Sequence, residues 1–179
     1  MGCGVGRNSI AIAHAYKDIN CIVECVDILD LAIEKLYLYA SEHGVSTKIH
    51  GIVDSIEKYV IRQESYDFII AVSALEHMES EESFVKKLVE IRNGIRENGI
   101  VCLVINSNVE ERNKATGHIT PAQFEVNYLT DVLQNVLNDI FAGWEIMKST
   151  TKEQQYDIPR ESGICDLTTN VVTLVAGKK

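Results

Sequence analysis

Two hydrophobic periods alternate along most of this chain. Short apolar runs mark buried strands, and apolar positions recurring every three or four residues mark amphipathic helices. Ile10 to Tyr16 is predicted as a helix and Cys21 to Val26 as a strand. Leu29 to His43 follows as a helix with Leu29, Ala32, Ile33, Leu36 and Ala40 on one face, closed by Gly44. Lys48 to Val53 is a strand ending at Asp54, and Ile56 to Ile61 is one or two helical turns. Phe68 to Val72 reads as a strand buried on both faces. Ser80 starts a helix through Phe84, Leu88, Ile91 and Ile95, Asn98-Gly99 makes a turn, and Ile100 to Ile105 is another buried strand. The pattern then dissolves. Asn106 to Tyr128 and Lys148 to Thr169 are polar and aperiodic, and are expected as mobile loops rimming a ligand pocket. Between them lie a helix over Leu129 to Phe141, ended by Gly143, and a strand over Trp144 to Met147. Asn170 to Ala176 is the last strand, antiparallel to its predecessor.

Strands alternating with helices imply an α/β fold, a parallel sheet with helices on both faces. At 179 residues the expectation is one domain with a substantial core, spanning 1–179. The chemistry begins at the start of the chain. Gly2-Cys3-Gly4-Val5-Gly6 is a G-x-G-x-G run leading into the first helix, and a ligand can lie against such bare backbone at a helix N-terminus. Asp27, at the tip of the next strand, stands where a nucleotide-type ligand has its ribose read. The dinucleotide fingerprint needs glycine where Arg7 stands, which argues against a dinucleotide-binding oxidoreductase.

Composition narrows the classes further. A net charge of −9 argues against a nucleic-acid partner. No run approaches the ~20 apolar residues of a membrane span, and no signal peptide is visible. The five cysteines have no zinc-like spacing, so no metal site is expected, and a reduced cytoplasmic setting is the natural reading.

Gly2-Cys3-Gly4-Val5-Gly6-Arg7-Asn8-Ser9, with Asp27 downstream, resembles the first motif of the class I S-adenosylmethionine-dependent methyltransferases. Tyr66-Asp67-Phe68 through Leu75-Glu76-His77 is similar to that family's motif after its fourth strand. The resemblance implies S-adenosylmethionine as cofactor and a small-molecule methyl acceptor. It implies that Gly2, Cys3, Gly4, Gly6 and Asn8 form the cofactor loop, that Asp27 takes the ribose hydroxyls, and that Ile28 packs on the adenine. Asp54 and Ser55 would meet the adenine amino group and ring, and the backbone at Val72 and Ser73 the methionine end. His77 and Arg160 are the candidates for catalysis or for gripping the acceptor. Within the class, Gly6-Arg7-Asn8-Ser9, the chain's small size, Gly143-Trp144-Glu145, Arg160 and the Val175-to-Lys179 ending look like the tellurite-resistance methyltransferases, which implies an oxyanion, chalcogen or thiol acceptor.

The family's sheet has a central strand before the glycine loop, where this chain has only Met1. The expectation is therefore a Rossmann-like methyltransferase sheet of six strands with its first central strand missing and an antiparallel C-terminal pair. Exposed inner strand edges would favour association with a second copy, a homodimer. The alternative function is a cofactor-binding protein without turnover.

Overall fold

Helix α1 (Arg7–Ala15) starts earlier than its apolar period, because Gly6 caps it in a left-handed conformation, φ 96°. The Gly6 carbonyl accepts from Ile10 N–H at 2.8 Å, closing the first helical turn. The computed structural model describes residues 1–161 and 163–179. It divides into two compact units, Met1–Val60 and Ile61–Lys179.

In the first unit, β1 (Val23–Asp27) leads through α2 (Asp30–Glu42) to β2 (Ile49–Val53). The strands pair in parallel, with Val23 opposite Ile49 and Asp27 opposite Val53. Ile10 and Ala13 of α1, Cys25 of β1, and Ile33, Leu36 and Ala40 of α2 form one buried cluster. Burial of such side chains contributes ~1.5–3 kcal/mol each for the larger ones. Leu29, predicted on this face, is instead exposed because it caps α2 from outside its first turn. Gly44 ends α2 as predicted, at φ 67°, and Val45 N–H returns to the Ala40 carbonyl. Ile56 to Ile61 forms no helix. Ser55 closes a single turn by accepting from Tyr59 N–H at its carbonyl and Lys58 N–H at its hydroxyl. One turn with nothing to propagate it does not make a helix.

The second unit comprises β3 (Tyr66–Val72), α3 (Glu81–Gly94), β4 (Ile95–Asn113), β5 (Ile119–Thr120), α4 (Thr130–Ile140), β6 (Glu145–Arg160) and β7 (Gly163–Gly177). Its sheet order is β3-β4-β7-β6, with β5 on β4. The β3–β4 pair is parallel and the others antiparallel. Ser80 caps α3 by accepting Ser83 N–H at 3.1 Å, and Phe84, Leu88 and Ile91 are fully buried. Phe68, predicted as buried, is 39% exposed, so β3 hides Ile69 and Ala71 more fully than their neighbours.

The described strands number seven rather than the expected six, and they form two sheets. Among the described residues no strand precedes the glycine loop, as expected; there Cys3 N–H donates to the Val26 carbonyl at 3.0 Å, so the loop lies along the end of β1. The larger correction concerns the two polar stretches. Asn106 to Tyr128 is strand as far as Asn113 and again at Ile119–Thr120, and the described residues of Lys148 to Thr169 are almost all strand. β4 runs on to Asn113, and β6 and β7 pair continuously from Glu145–Gly177 to Arg160–Gly163 apart from one irregularity near Met147.

From Gly99 to Asn113 every second residue of β4 is buried. That period was hidden because Ser107, Glu111 and Asn113 occupy buried positions. On β6 the residues are almost all exposed, so an edge strand carried no apolar alternation to read.

Candidate functional site

The glycine loop folds the way it does because Gly2, Gly4 and Gly6 all take left-handed φ, at 59°, 50° and 96°. A residue with a Cβ resists that region. The turns aim the loop's amides at the tip of β1. Gly4 N–H donates to Asp27 Oδ2 at 2.7 Å, and Leu29 N–H donates to Oδ1 at 3.1 Å. Asp27 is therefore not the cap of α2; its carboxylate ties that helix's entry to the glycine loop. At the neighbouring tip Asp54 N–H donates to the Asp27 carbonyl at 3.0 Å, and Asp54 Oδ1 accepts Ser55 N–H at 2.8 Å. The first unit thus brings together the loop, Asp27, Asp54 and Ser55. Asn8 lies half-buried in the first turn of α1, and Ile28 is 68% exposed beside Asp27.

The arrangement fits a nucleoside. A Cβ built on Gly4 meets no atom within 4 Å, so the loop faces open space at that residue. Each carboxylate oxygen of Asp27 accepts one backbone hydrogen and keeps lone pairs for a ligand's hydroxyls. Ile28, next to Asp27, presents an exposed apolar side chain. Cys3 is half-buried beneath the loop, packed against the core.

In the second unit, Val72 ends β3 and Ser73 follows at φ 47°, a left-handed conformation unusual for a residue with a side chain. Backbone of this kind concentrates where a ligand is held. Ser73 N–H donates to the Val104 carbonyl at 2.9 Å, and its hydroxyl accepts from Asn106 Nδ2 at 3.2 Å. Asn106 also donates, from both its backbone and its side chain, to Glu76 Oε1. Glu76 is fully buried, its Oε2 meets no hydrogen-bond partner among the described residues, and its carbonyl accepts from Val126 N–H. Sequence reading passed over Glu76, although it stands between Leu75 and His77 in the motif. The signal available was an acid flanked by residues that all have to be buried or turned.

His77 Nδ1 lies 3.2 Å from Glu125 Oε2, and its ring stacks on Phe124 with centroids 5.1 Å apart. A carboxylate accepts only, so Nδ1 is the donor in this contact. Arg160 ends β6 and reaches β4. Its Nε and Nη2 donate to the two oxygens of Glu111 at 2.6 and 2.9 Å, and Nη1 donates to Gln123 at 2.9 Å. Those hydrogen bonds hold the Glu111 carboxyl below its ordinary range and raise the guanidinium further. Among the described residues no cluster of His, Cys, Asp and Glu could hold a metal ion.

The fold and the glycine-loop geometry together define a class. Residues 1–99 match the model of the methyltransferase domain family, and the chain belongs to that family. It is thereby a member of the class I S-adenosylmethionine-dependent methyltransferases. The ubiquinone biosynthesis O-methyltransferase of Rickettsia canadensis (strain McKiel) is 33% identical over 115 residues, 64% of this chain and 43% of that protein. The chain therefore spans less than half the length of this curated relative. TehB from Haemophilus influenzae superposes with a TM-score of 0.70 at 19% identity, covering 99% of this chain and 56% of TehB. An S-adenosylmethionine-dependent methyltransferase from Methanosarcina mazei gives 0.68 at 18%, covering 99% and 89%. These likenesses establish the fold. No helix among the described residues is long and apolar enough to cross a membrane.

Proposed function

We propose that this chain transfers a methyl group from S-adenosylmethionine to an oxygen atom of a small-molecule acceptor. The observation that carries the reading is the Asp27 carboxylate bound to the Gly4 amide beside the tip of β2. When bound, the cofactor supplies a methyl carbon already activated on a cationic sulfur. The protein's part is to orient and to exclude water. Asp27 accepts from the ribose hydroxyls, Asp54 from the base, and Gly2, Cys3, Gly4, Gly6 and Asn8 shape the loop. Ile28 and Ser55 line the base, and Val72 and Ser73 present backbone to the methionine end.

An oxygen acceptor is favoured over an oxyanion on two grounds. The relatives found by sequence are O-methyltransferases by name. The late arginine expected to grip an anion is neutralised by Glu111, so Arg160 is read as a clamp within the sheet. His77, oriented by Glu125, is the group proposed to take the proton that the acceptor hydroxyl releases. The whole of 1–179 is proposed to work as one domain, because the family match crosses the boundary between Val60 and Ile61.

Asp27→Ala is expected to weaken S-adenosylhomocysteine binding by about tenfold or more, through loss of charge-assisted hydrogen bonds worth ~1.5–3 kcal/mol each. Calorimetric titration checks it; a change below about threefold removes Asp27 from the ribose site. His77→Ala is expected to lower kcat on a hydroxylated acceptor while leaving that titration unchanged. Binding without turnover on any panel of hydroxylated acceptors would overturn the proposed activity and leave a cofactor-binding protein.

A further inference from the structure

The proposed methyl transfer gives a part to His77 and none to the acid before it. Glu76 is fully buried, and among the described residues its carboxyl oxygens meet only Asn106. Oε1 accepts from the Asn106 backbone N–H at 3.3 Å and from the side-chain Nδ2. Burying an acid with no cation beside it costs stability, and an apolar side chain would fill that space without the cost. What the acid supplies is a strong acceptor. The Asn106 amide has two hydrogens to give. One goes to Glu76 and the other to the Ser73 hydroxyl at 3.2 Å. A carboxylate cannot donate, so Nδ2 has to face it, and Oδ1 is left to accept from the buried Thr169 hydroxyl of β7 at 3.2 Å.

These bonds end on Ser73. It is exposed and holds φ 47°, a conformation that a residue with a Cβ resists. Its N–H, bonded to the Val104 carbonyl, fixes only the entry to the turn. The Asn106 amide staples the rest, joining Ser73 and Glu76, three residues apart, to one side chain of β4. We propose that Glu76 is a positioning residue for the ligand: through Asn106 it keeps Ser73 in the left-handed conformation in which the tip of β3 presents its backbone. This rests on the reading of Val72 and Ser73 as the place of the cofactor's methionine end, and it adds the group that holds them there.

Two consequences separate this role from core filling. Glutamine keeps an oxygen where Oε1 stands, so Glu76→Gln retains the hold on Asn106, whereas Glu76→Ala releases it. Glycine takes left-handed φ without strain and offers no hydroxyl to Asn106, so in Ser73→Gly the turn no longer depends on Glu76.

The test follows amide hydrogen exchange in the full chain without ligand, at Ser73 and at Phe84, whose N–H bonds the Ser80 carbonyl at the start of α3. Each variant is then titrated with S-adenosylhomocysteine. Glu76→Ala is expected to speed exchange at Ser73 about tenfold relative to Phe84, the size of one lost hydrogen bond, and to weaken binding by about the same factor. Asn106→Ala should do the same, and Glu76→Gln should change either quantity by less than about threefold. In the Ser73→Gly background, Glu76→Ala should change affinity by less than about threefold, because the two substitutions cut the same connection. Exchange that rises equally at Ser73 and Phe84 overturns the proposal. So does a Glu76→Gln variant as impaired as Glu76→Ala, or an undiminished affinity loss in the Ser73→Gly background. Where Glu76→Ala does not fold, Asn106→Ala and Glu76→Gln decide between the same outcomes. If the unaltered chain does not bind S-adenosylhomocysteine, the methyl-transfer reading falls, and exchange at Ser73 still decides whether Glu76 holds the turn.

Discussion

Arg160→Ala is expected to destabilise the second unit by about 3 kcal/mol, lowering its melting temperature by roughly 10 °C. Glu111 is 2% exposed and Arg160 only 26%, so the substitution strands a carboxylate among buried neighbours. Removing one partner of a buried pair typically costs ~3–5 kcal/mol, and the partial exposure of Arg160 places this case at the low end. The pair joins β4 to β6 across the intervening β7, and Gln123 adds a third tie. The double substitution Glu111→Leu with Arg160→Met should recover most of the loss, because two apolar side chains leave no unpaired charge. Differential scanning calorimetry of the single and double variants gives the coupling.

The same pair sets a pH dependence. The folded carboxyl of Glu111 is lowered, chiefly by its hydrogen bonds to Arg160. Its contribution is therefore fully present above the unfolded value, about 4.3, and is lost as pH falls through the lower folded value. Melting temperature should drop on acidification below about pH 4, and Glu111→Gln should flatten that drop. If Arg160→Ala leaves the melting temperature unchanged and raises only the KM for an anionic acceptor, Arg160 is an anion grip after all.

Gly6→Ala is expected to cost about 3 kcal/mol and to abolish measurable cofactor binding. The left-handed φ of 96° imposes a penalty of about 1–2 kcal/mol on any residue with a Cβ. The new methyl would also overlap Leu36 Cδ1 and press on Ile10 Cδ1 at 3.2 Å. Leu36 is fully buried, so displacing it adds about 1–3 kcal/mol of overpacking. Relief would come from shifting the start of α1, and the loop would move with it. Gly4→Ala is the informative contrast. Its methyl meets nothing within 4 Å, so it should cost only the conformational strain, about 1 kcal/mol. That methyl would stand in the space proposed for the ligand, so affinity should fall much further than stability. Equal stability losses in the two variants would contradict the packing under Gly6, and unchanged affinity in Gly4→Ala would place the ligand elsewhere.

Local chemistry made half of the molecule legible in the sequence. The glycine run, the face of Ala32, Ile33, Leu36 and Ala40, and the Gly44 stop all rest on interactions within a few residues, and all appear where the pattern put them. The α/β class followed from the same short-range signals, and the candidate cofactor residues from the resemblance of the motifs to the methyltransferases. Strand length did not. β4 and β7 continue past Ile105 and begin before Asn170 because their polar residues find partners across the sheet: Ser107 with Thr130 and the Asn170 carbonyl, Thr169 with Asn106, Glu111 with Arg160. A buried polar position looks like a loop in a sequence until the group that satisfies it is known.

The sequence by itself determined the glycine loop, the acids that follow the first strands and the family these residues identify. Only the tertiary structure decided what each side chain is free to do. Arg160 was indistinguishable in sequence from a solvated cation, and the fold spends it on Glu111. Glu76 looked like one acid of a short motif, and burial made it the acceptor for Asn106. The physical reason is the same in each case. Composition and period report which residues leave water, whereas partnership depends on contacts between residues distant in the chain, which the fold alone creates.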